Sequence, residues 1–516
     1  MLHLQFESAK NKFLPLQMLA LATCVVFTSF MWQGNKGFSL WDEGFLWYGA
    51  QRVMLGEVPI RDFMAYDPGR YWWSAAFMSL CSNNGIMTLR GAVAIFQAAG
   101  LFVGLLLIAR SVKKQNFPYL LLSAIILVVW MFPRHKLFDI SLSIFLIGLL
   151  AFLVQNPTRR RYFFAGLCVG LVAIFGRNHG MYGVAGSIGV MSWLNIKRVE
   201  GPGLIEGFSL WSAGVIAGFM PIFFMALLVP GFAVAFWESI RFLFEVKTTN
   251  LPLPIPWPWR VNFASVPLDE AIRGVLVGLL FIDTVVFGVL TILWVVWQKF
   301  QNKQVLPALV ATSFLALPYA HYAYSRADIA HLAQGIFPLL VGCLVLLAMQ
   351  PAKIKWPLAL MLCTASLWVS HIFHPGWQCH INKRCVNVEI SGSNLQVDPG
   401  TSRDIGLLRK LAEQYAPDGQ SFVAWPGAYA LLERKSPIWE IYVLFPRSQA
   451  FEKAEIERIK TARPGFVLVD LPLDGHDELR FQNTHPLIHQ YILDNFEPLP
   501  ISSNPAYQIY KAKGGA

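Results

Sequence analysis

Trp41-Asp42-Glu43-Gly44 begins a stretch that continues to Asp67-Pro68-Gly69-Arg70-Tyr71-Trp72-Trp73. Between these two motifs, residues 45–56 repeat apolar side chains with a helical period, which predicts an amphipathic helix at a membrane interface. The apolar segment from Tyr71 to Cys81 is too short to cross a bilayer, so it is also predicted to be interfacial or re-entrant. The stretch therefore places two adjacent carboxylates and an arginine at the edge of a membrane.

The composition indicates a protein that crosses a membrane several times. Of the 516 residues, 55% are hydrophobic and only 14% are charged, whereas soluble proteins carry about 25% charged residues. The net charge of +11 is explained by basic cytoplasmic loops and by binding of anionic headgroups or phosphates, so no nucleic-acid partner is predicted. The sequence contains neither a Rossmann nor a P-loop motif, and a soluble nucleotide site therefore has no support.

About eleven apolar segments are predicted to be membrane-spanning helices, starting from a cytoplasmic N-terminus. They are Leu14–Trp32, Ile86–Ile108, Phe117–Phe132, Ile140–Val154, Tyr162–Phe175, Met181–Leu194, Phe208–Val229, Ala271–Trp297, Leu306–Tyr322, Ile329–Met349 and Trp356–Phe373. Every loop that this topology places in the cytoplasm carries Lys or Arg, as the positive-inside rule requires. The first segment is interpreted as an uncleaved span, because it is long and ends in Phe30-Met31-Trp32 rather than in small residues.

The composition changes after His374, where charged residues become frequent. Amphipathic helices are predicted at Ser402–Tyr415, Gln449–Thr461 and Pro486–Phe496, and strands at Ser421–Trp425, Phe466–Asp470 and Tyr507–Lys511. The predicted domains are therefore 1–374, a transmembrane domain whose outer loop 33–85 carries the acid pair, and 375–516, a soluble extracytoplasmic α/β domain.

Two of the seven cysteines, Cys379 and Cys385, lie in a polar stretch after the last span. A disulfide between them is expected if that stretch faces an oxidising compartment. Their spacing does not suggest a zinc site.

Three short loops on the predicted outer face contain basic residues, against the usual bias of membrane proteins. They are Arg134-His135-Lys136, Gly176-Arg177-Asn178-His179 and Ser325-Arg326-Ala327-Asp328-Ile329-Ala330-His331. Each loop taken alone is explained by pairing with a nearby acid or an anionic lipid. Together with Arg70, on the same side as the acid pair, the three loops favour a phosphate-binding site.

The acidic candidates also have a structural explanation. Asp42 and Glu43 begin a predicted helix, where a carboxylate caps backbone N–H groups and complements the helix dipole. A pair of acids beside Trp41 is more than a cap needs, which favours a catalytic role. Asp139 begins the fourth predicted span and is explained equally well as a cap, whereas Asp283 lies near the middle of the eighth span, where ionisable groups are often functional.

These motifs resemble the C-type (GT-C) membrane glycosyltransferases, most closely the branch of protein O-mannosyltransferases and the bacterial lipid A aminoarabinose transferase. Asp42-Glu43 resembles the acid pair in the first outer loop of that family, and Tyr66–Trp72 resembles the Pro-rich lead into its second juxtamembrane helix. Leu137–Leu142 resembles its Leu-Asp-Ala-Pro-Leu pattern, and Gly170–Gly180 resembles its Gly-Leu segment that ends in a basic residue. Asp67-Pro68-Gly69 departs from the family in having one Pro where two are frequent.

The resemblance implies inverting transfer of a sugar from a polyprenyl-phosphate donor to an acceptor hydroxyl, on the outer face of the bacterial cytoplasmic membrane. Asp42 would be the general base, and Glu43 and Asp139 would orient the acceptor, tune Asp42 or hold a divalent metal ion, whose requirement stays open. The donor phosphate would be bound by Arg70, Arg134, Lys136, Arg177, Arg326 and His331. The acceptor would be an envelope glycan, lipid or protein, and membrane lipids would be further partners.

Two other functions compete with this hypothesis. A lipid or polysaccharide transporter would be expected to show internal repeats and broken helices near the membrane midplane, and the sequence shows neither clearly. An O-antigen polymerase or ligase would use a lipid pyrophosphate donor. The acid pair in the first outer loop favours the polyprenyl-phosphate enzyme over this polymerase or ligase.

The topology is open to a direct test. Reporter fusions after Lys114, Arg161, Arg198, Lys303 and Lys355 should report the cytoplasm, because these positions follow the basic inner loops. A fusion after Ile390 should report the outer side, and a cytoplasmic signal from it would refute both the number of spans and the placement of the acid pair.

Overall fold

The computed structural model describes residues 12–112, 116–198, 201–246, 251–380, 384–469, 476–500 and 507–513. The helices are α1 Leu14–Gln33, α2 Asp42–Met54, α3 Pro68–Leu80, α4 Ile86–Ser111, α5 Phe117–Val129, α6 Leu137–Gln155, α7 Arg159–Phe175, α8 Arg177–Asn195, α9 Leu204–Leu228, α10 Phe232–Val246, α11 Leu268–Phe300, α12 Pro307–Ser325, α13 Ile329–Gly335, α14 Phe337–Ala348, α15 Ala352–Ser370, α16 Pro375–His380, α17 Pro399–Tyr415, α18 Pro426–Leu431, α19 Gln449–Ala462, α20 Phe481–Thr484 and α21 Pro486–Asn495. The strands are β1 Val386–Ile390, β2 Ser393–Val397, β3 Ser421–Val423, β4 Phe466–Val469, β5 Phe496–Pro498 and β6 Gln508–Ala512.

The chain forms two compact units whose composition differs from the predicted domains. Unit 1 comprises Met1–Gly34, Arg90–Val229 and Thr248–Gln378, and unit 2 comprises Asn35–Leu89, Pro230–Lys247 and Cys379–Ala516. The loop that carries the acid pair therefore belongs with the C-terminal segment and not with the membrane helices. The reason is physical, because α2 packs directly against α18 within unit 2.

All of the segments predicted to span the membrane are helical, and six helices are long and apolar enough to cross it. These are Leu14–Gln33, Ile86–Ser111, Arg134–Gln155, Leu204–Leu228, Leu268–Phe300 and Ala352–Phe373. The chain is thus a multi-pass membrane protein. Helices α5 and α7 are only 13 and 17 residues long, so the number of eleven spans stays a prediction.

Helices α13 and α14 form a bent pair that would give a seventh span if the two halves cross the membrane together. Their axes differ by 55° at a short break. Pro338 lies in the first turn of α14 and has no backbone N–H to donate to the preceding helix. The proline therefore accounts for the break.

Helices α7 and α9 are held at backbone contact by four glycines. A Cβ at Gly166 would lie 1.9 Å from the Trp211 carbonyl oxygen, and one at Gly170 would lie 2.3 Å from the Val215 carbonyl oxygen. From the other side, Cβ atoms at Gly214 and Gly218 would lie 2.1 and 2.0 Å from carbonyl oxygens of α7. Both helices thus carry two glycines four residues apart, the spacing that lets membrane helices approach closely.

In unit 2 a four-stranded sheet has the order β3-β4-β6-β5, with β3 and β4 parallel and the other neighbours antiparallel. Its core is formed by buried apolar side chains of the sheet and of the adjacent helices: Phe422, Ile438, Val443, Ile459, Val467, Val469, Phe481, Ile488, Ile492, Phe496 and Tyr510. Helices α17, α19 and α21 and strands β3, β4 and β6 lie where the sequence predicts helices and strands, although Asp470 lies outside the described residues. Small sheets are therefore present, and the assignment of 375–516 to a soluble α/β domain stays a prediction.

Strands β1 and β2 form a hairpin that the sequence analysis does not predict. Its two turn residues, Ser391 and Gly392, both have positive φ angles, 47° and 72°, as a tight hairpin turn requires. Just before the hairpin, Cys379 and Cys385 form a disulfide with a Cα–Cα distance of 5.0 Å. This is the cysteine pair that the sequence singles out, and the compartment that the pair faces stays a prediction.

The glycine contacts between α7 and α9 predict a large effect of one added side chain. Gly214→Leu should lower the free energy of unfolding by about 1–3 kcal/mol, because the leucine has to push α7 away from α9. The matched control is Ala213→Leu, on the exposed side of the same helix turn. Thermal unfolding of the purified protein in mild detergent measures both, and equal midpoints would contradict the contact.

Candidate active site

The acid pair lies in the first turn of α2, within unit 2. Trp41 is the N-cap residue of this helix, and the Ser39 hydroxyl accepts a hydrogen bond of 3.1 Å from the Asp42 backbone N–H. Asp42 is therefore not the cap that the structural explanation assumed. The Glu43 side chain is buried, whereas Asp42 is partly exposed. Both carboxylates still lie in the first turn of α2, at the positive end of the helix dipole.

Aromatic side chains surround Asp42. The Tyr442 hydroxyl donates a hydrogen bond of 3.3 Å to Asp42 Oδ1, and the Tyr442 ring packs edge-on against Trp41 and Phe45 with centroid distances of 5.7 and 5.6 Å. Phe45 also packs against Tyr66, with a centroid distance of 4.7 Å. The carboxylate of Asp42 thus combines access to solvent with one fixed hydroxyl donor.

Arg70 belongs to the first turn of α3 and is almost completely buried, with 3% of its surface exposed. Its guanidinium carbon lies 4.8 Å from the centroid of the Tyr66 ring, within the range of a cation–π interaction. Tyr66 is fixed in turn, because its backbone N–H donates to the Tyr71 hydroxyl over 3.0 Å. Tyr66 therefore connects the surroundings of Asp42 with Arg70 inside unit 2.

Close packing and one partly exposed group of ion pairs set the position of α2. A Cβ at Gly44 would lie only 2.3 Å from the Gly427 Cα of α18, so the two backbones touch. At the other end of α2, Arg52 and Lys435 contact Glu57 at 2.6 and 2.7 Å. Burial opposes ionisation of Glu57, but the hydrogen bonds from these two cations outweigh it and lower its pKa.

In unit 1, Asp139 belongs to a buried polar cluster that joins three helices. Asp139 lies in the first turn of α6, after the N-cap residue Lys136, and its Oδ1 is 3.1 Å from His179 Nε2. His179 Nδ1 is 2.8 Å from the hydroxyl oxygen of Tyr319 on α12. His179 Nε2 is within ion-pair distance of the Asp139 carboxylate, but among the described residues it makes no hydrogen bond. All three side chains are buried.

Arg326 and His331 are both bound to Asp328, in the loop between α12 and α13. Arg326 Nε donates to Asp328 Oδ2 and His331 Nδ1 lies near Asp328 Oδ1, both at 2.8 Å. Burial opposes ionisation of Asp328, but the hydrogen bond and charge of His331, together with Arg326, lower its pKa to about 2. The Tyr322 ring lies 5.5 Å from the His179 ring and 5.9 Å from the His331 ring, which links this cluster to the Asp139 cluster.

The remaining basic candidates lie at the ends of the same helices. Arg134 and Lys136 form the single 3-10 turn before α6, and the Arg134 guanidinium donates to the Gln33 carbonyl over 2.8 Å. Arg177 is the first residue of α8, two positions before His179, and is half-buried. Unit 1 therefore brings together Asp139, Arg134, Lys136, Arg177, Arg326 and His331, whereas unit 2 brings together Asp42, Glu43 and Arg70.

Four side chains in these clusters received no role in the sequence analysis. Tyr319 begins a run that also contains His321, Tyr322 and Tyr324, and Tyr442 follows Glu440 by two residues, but neither pattern identifies the partner of the tyrosine. His179 and Asp328 lie inside two of the basic loops, each two residues after an arginine. This spacing could have identified them as candidates in the sequence. Among the described residues, no group of three or more His, Cys, Asp or Glu side chains is arranged to hold a metal ion.

No protein-family model matches this sequence, and no curated protein does either. Among solved structures, the chain is similar to the oligosaccharyltransferase of Archaeoglobus fulgidus, both with a tethered acceptor peptide and in its apo form. In each case the TM-score is 0.48 and the identity 12%, over 98% of this chain and 74% or 75% of that one. It is also similar to the mycobacterial arabinofuranosyltransferase AftD, with a TM-score of 0.43 and 15% identity over 96% of this chain and 41% of AftD. Likenesses this distant establish neither the fold family nor the activity of the chain.

The Asp139–His179–Tyr319 cluster predicts a specific loss of stability. His179→Ala should lower the free energy of unfolding by about 1–3 kcal/mol, because it leaves a buried carboxylate and a buried hydroxyl without the imidazole between them. Asn178→Ala, at the exposed neighbouring position, is the matched control. Thermal unfolding in detergent distinguishes the two variants, and the same midpoint for both would show that the cluster does not stabilise the fold.

Proposed function

We propose that the chain is an inverting membrane glycosyltransferase that moves a sugar from a polyprenyl-phosphate donor to an acceptor hydroxyl on the outer face of the membrane. In this proposal Asp42 takes the proton of the acceptor hydroxyl. The single observation that carries it is the surroundings of Asp42, a partly exposed carboxylate with aromatic neighbours and one hydroxyl donor. Acceptor sugars stack on aromatic rings, and a carboxylate within hydrogen-bond reach of the attacking hydroxyl serves as general base.

The cationic side chains support the same chemistry. The leaving group of such a transfer is a lipid phosphate, which needs positive charge and hydrogen-bond donors rather than a general acid. We assign phosphate binding to Arg70, Arg134, Lys136, Arg177, Arg326 and His331. Arg326 donates its Nε–H to Asp328 Oδ2, and a guanidinium group carries several N–H donors in the planar arrangement suited to a phosphate. Glu43 and Asp139 are assigned to orientation of the acceptor and to support of these groups.

One observation favours transport of a lipid or polysaccharide as a second function. The bent pair α13 and α14 resembles the discontinuous helices that line substrate paths in transporters. A transporter would move its lipid-linked substrate without breaking a glycosidic bond. The two functions therefore differ in the product, and an assay of sugar transfer separates them.

Asp42→Asn should abolish transfer while leaving the protein folded. Asparagine keeps the size of the side chain and can still accept the Tyr442 hydroxyl, but it cannot take a proton. Loss of a positioned base lowers the rate by about a hundredfold to ten-thousandfold. The assay supplies purified protein with radiolabelled polyprenyl-phosphate sugars and a membrane extract, and it measures label in the product. Asp418→Asn, on the exposed surface of the same unit, is the matched control.

Arg326→Ala should act on donor binding instead. The affinity for the labelled donor should fall by about tenfold or more, since one charge-assisted hydrogen bond contributes about 1.5–3 kcal/mol. The exposed loop residue Arg260 provides the control variant Arg260→Ala.

If Asp42→Asn transfers sugar at the wild-type rate, Asp42 is not the base. If wild-type protein releases labelled lipid across a vesicle membrane without transferring sugar, the chain is a transporter.

A further inference from the structure

An apolar groove lies among the membrane helices of unit 1, away from the polar clusters. Its volume is about 460 Å³, and its walls come from α4, α6 and α7. Its lining side chains are apolar except for Cys168 and Arg110, and Arg110 is the charged one. On the α7 wall, Phe164 and Leu171 are 49% and 42% exposed, so the groove opens sideways toward the hydrocarbon of the membrane. Its shape and lining fit a flexible hydrocarbon chain.

The two ends of the groove differ. At one end, the ring of Phe96 packs against the rings of Phe138, Phe145 and Phe175, with centroid distances of 4.9, 5.4 and 5.3 Å, and these four rings close the groove. Arg110 marks the other end, 14 residues further along α4, or about 21 Å at the helical rise. A lipid chain therefore has its polar end at Arg110.

Positive charge without an acidic partner collects at that open end. Arg110 is exposed, and no carboxylate in the described part of the chain pairs with it. The Arg161 guanidinium lies 3.9 Å above the ring of Phe152, a lining residue, and donates to the Phe152 carbonyl. Within the described residues, no carboxylate pairs with Arg161 either. Arg159, on the same turn of α7, shows the contrast because Glu206 neutralises it at 2.6 Å.

We infer that this groove binds one anionic glycerophospholipid from the leaflet on the Arg110 side, with one acyl chain between α4 and α7 and the phosphate at Arg110 and Arg161. A zwitterionic headgroup would leave both arginine charges uncompensated. The phosphate of an outer-leaflet polyprenyl lipid would enter at the opposite end, which the four rings close. The site is separate from the clusters assigned to sugar transfer, and it does not depend on that assignment.

Native mass spectrometry of the full chain tests the site. Delipidated protein in mild detergent is titrated with phosphatidylglycerol or with phosphatidylcholine, and the lipids retained per chain are counted. Wild-type protein should retain one phosphatidylglycerol in preference to phosphatidylcholine. Arg110→Gln with Arg161→Gln should weaken that binding by about 25-fold, because each arginine near an anionic headgroup contributes about a factor of five. Lys353→Gln removes an exposed charge on the same predicted side and should change nothing.

A second variant tests the apolar part of the groove. Leu107→Trp fills it and should reduce retention of both lipids, whereas Leu293→Trp, on the exposed face of α11, should not. Equal retention of phosphatidylglycerol and phosphatidylcholine by wild-type protein would overturn the inference, as would unchanged binding in the double arginine variant. Displacement of the phospholipid by an equimolar polyprenyl phosphate would also overturn it, since the groove would then belong to a prenyl chain.

Discussion

The backbone contact between Gly44 and Gly427 is the constraint on which the geometry around the acid pair depends. It brings α2 against α18 so closely that no side chain fits between them, and the Gly427 N–H also donates to the Leu40 carbonyl over 2.7 Å. The segment before α2 is thereby fixed to a part of the chain almost 400 residues later. Tyr442 reaches Asp42, and Ser436 donates its backbone N–H to Tyr48, because of this contact. The aromatic surroundings of Asp42 are therefore built from both ends of unit 2.

In unit 1 the corresponding constraint is the lack of water among membrane helices. A carboxylate, an imidazole or a hydroxyl buried there needs a partner from another helix, because an unsatisfied polar group costs several kcal/mol in hydrocarbon. Asp139 lies 3.1 Å from His179 Nε2, and His179 Nδ1 lies 2.8 Å from the Tyr319 hydroxyl, so these three side chains connect α6, α8 and α12. The basic residues that flank Asp139 and His179 in sequence lie at the same helix ends, and Arg134 is also held by its bond to the Gln33 carbonyl.

The sequence predicts the helices well, because long apolar runs and the 3.6-residue period are local signals. Helix α19 is an example, since it begins at the predicted residue Gln449 and ends at Ala462, one residue after the predicted end. Contacts between distant segments have no such signal. The pairing of α2 with α18 involves two glycines, Gly44 and Gly427, that no local pattern distinguishes, so the sequence analysis groups the loop 33–85 with the transmembrane segments. The β1–β2 hairpin lay within reach of prediction, because Ser391-Gly392 is a turn dipeptide between alternating strands.

The charged residues of the candidate site could be predicted from the sequence, but some of their polar partners could not. Charged residues in loops stand out against an apolar chain, and Asp42, Arg70, Asp139 and Arg326 all occupy ordered, partly or fully buried positions. Their partners Tyr442 and Tyr319 could not be found, since a tyrosine is usually interpreted as a packing residue, whereas the position of His179 two residues after Arg177 was a signal in the sequence. The helical period predicts which face of a helix is buried, but it does not predict which residue of another segment packs against that face. The polar partners of the candidate residues lie on such other segments.

The cations of unit 1 divide into two kinds according to their partners, and this division bears on what each can bind. Asp328 keeps a pKa of about 2, so it stays ionised at any physiological pH and offsets the charge of Arg326 and His331. A phosphate bound at Arg326 would therefore share the guanidinium group with Asp328. Its binding would depend more on the geometry of the hydrogen bonds than on net charge. In the part of the chain that the structure describes, no carboxylate pairs with Arg110 or Arg161, and their attraction for an anion is largely a matter of charge. Cations that are paired with an acid, such as Arg326, are suited to select one phosphate in one orientation. Arg110 and Arg161 are suited to retain any anionic headgroup whose acyl chain fits the groove.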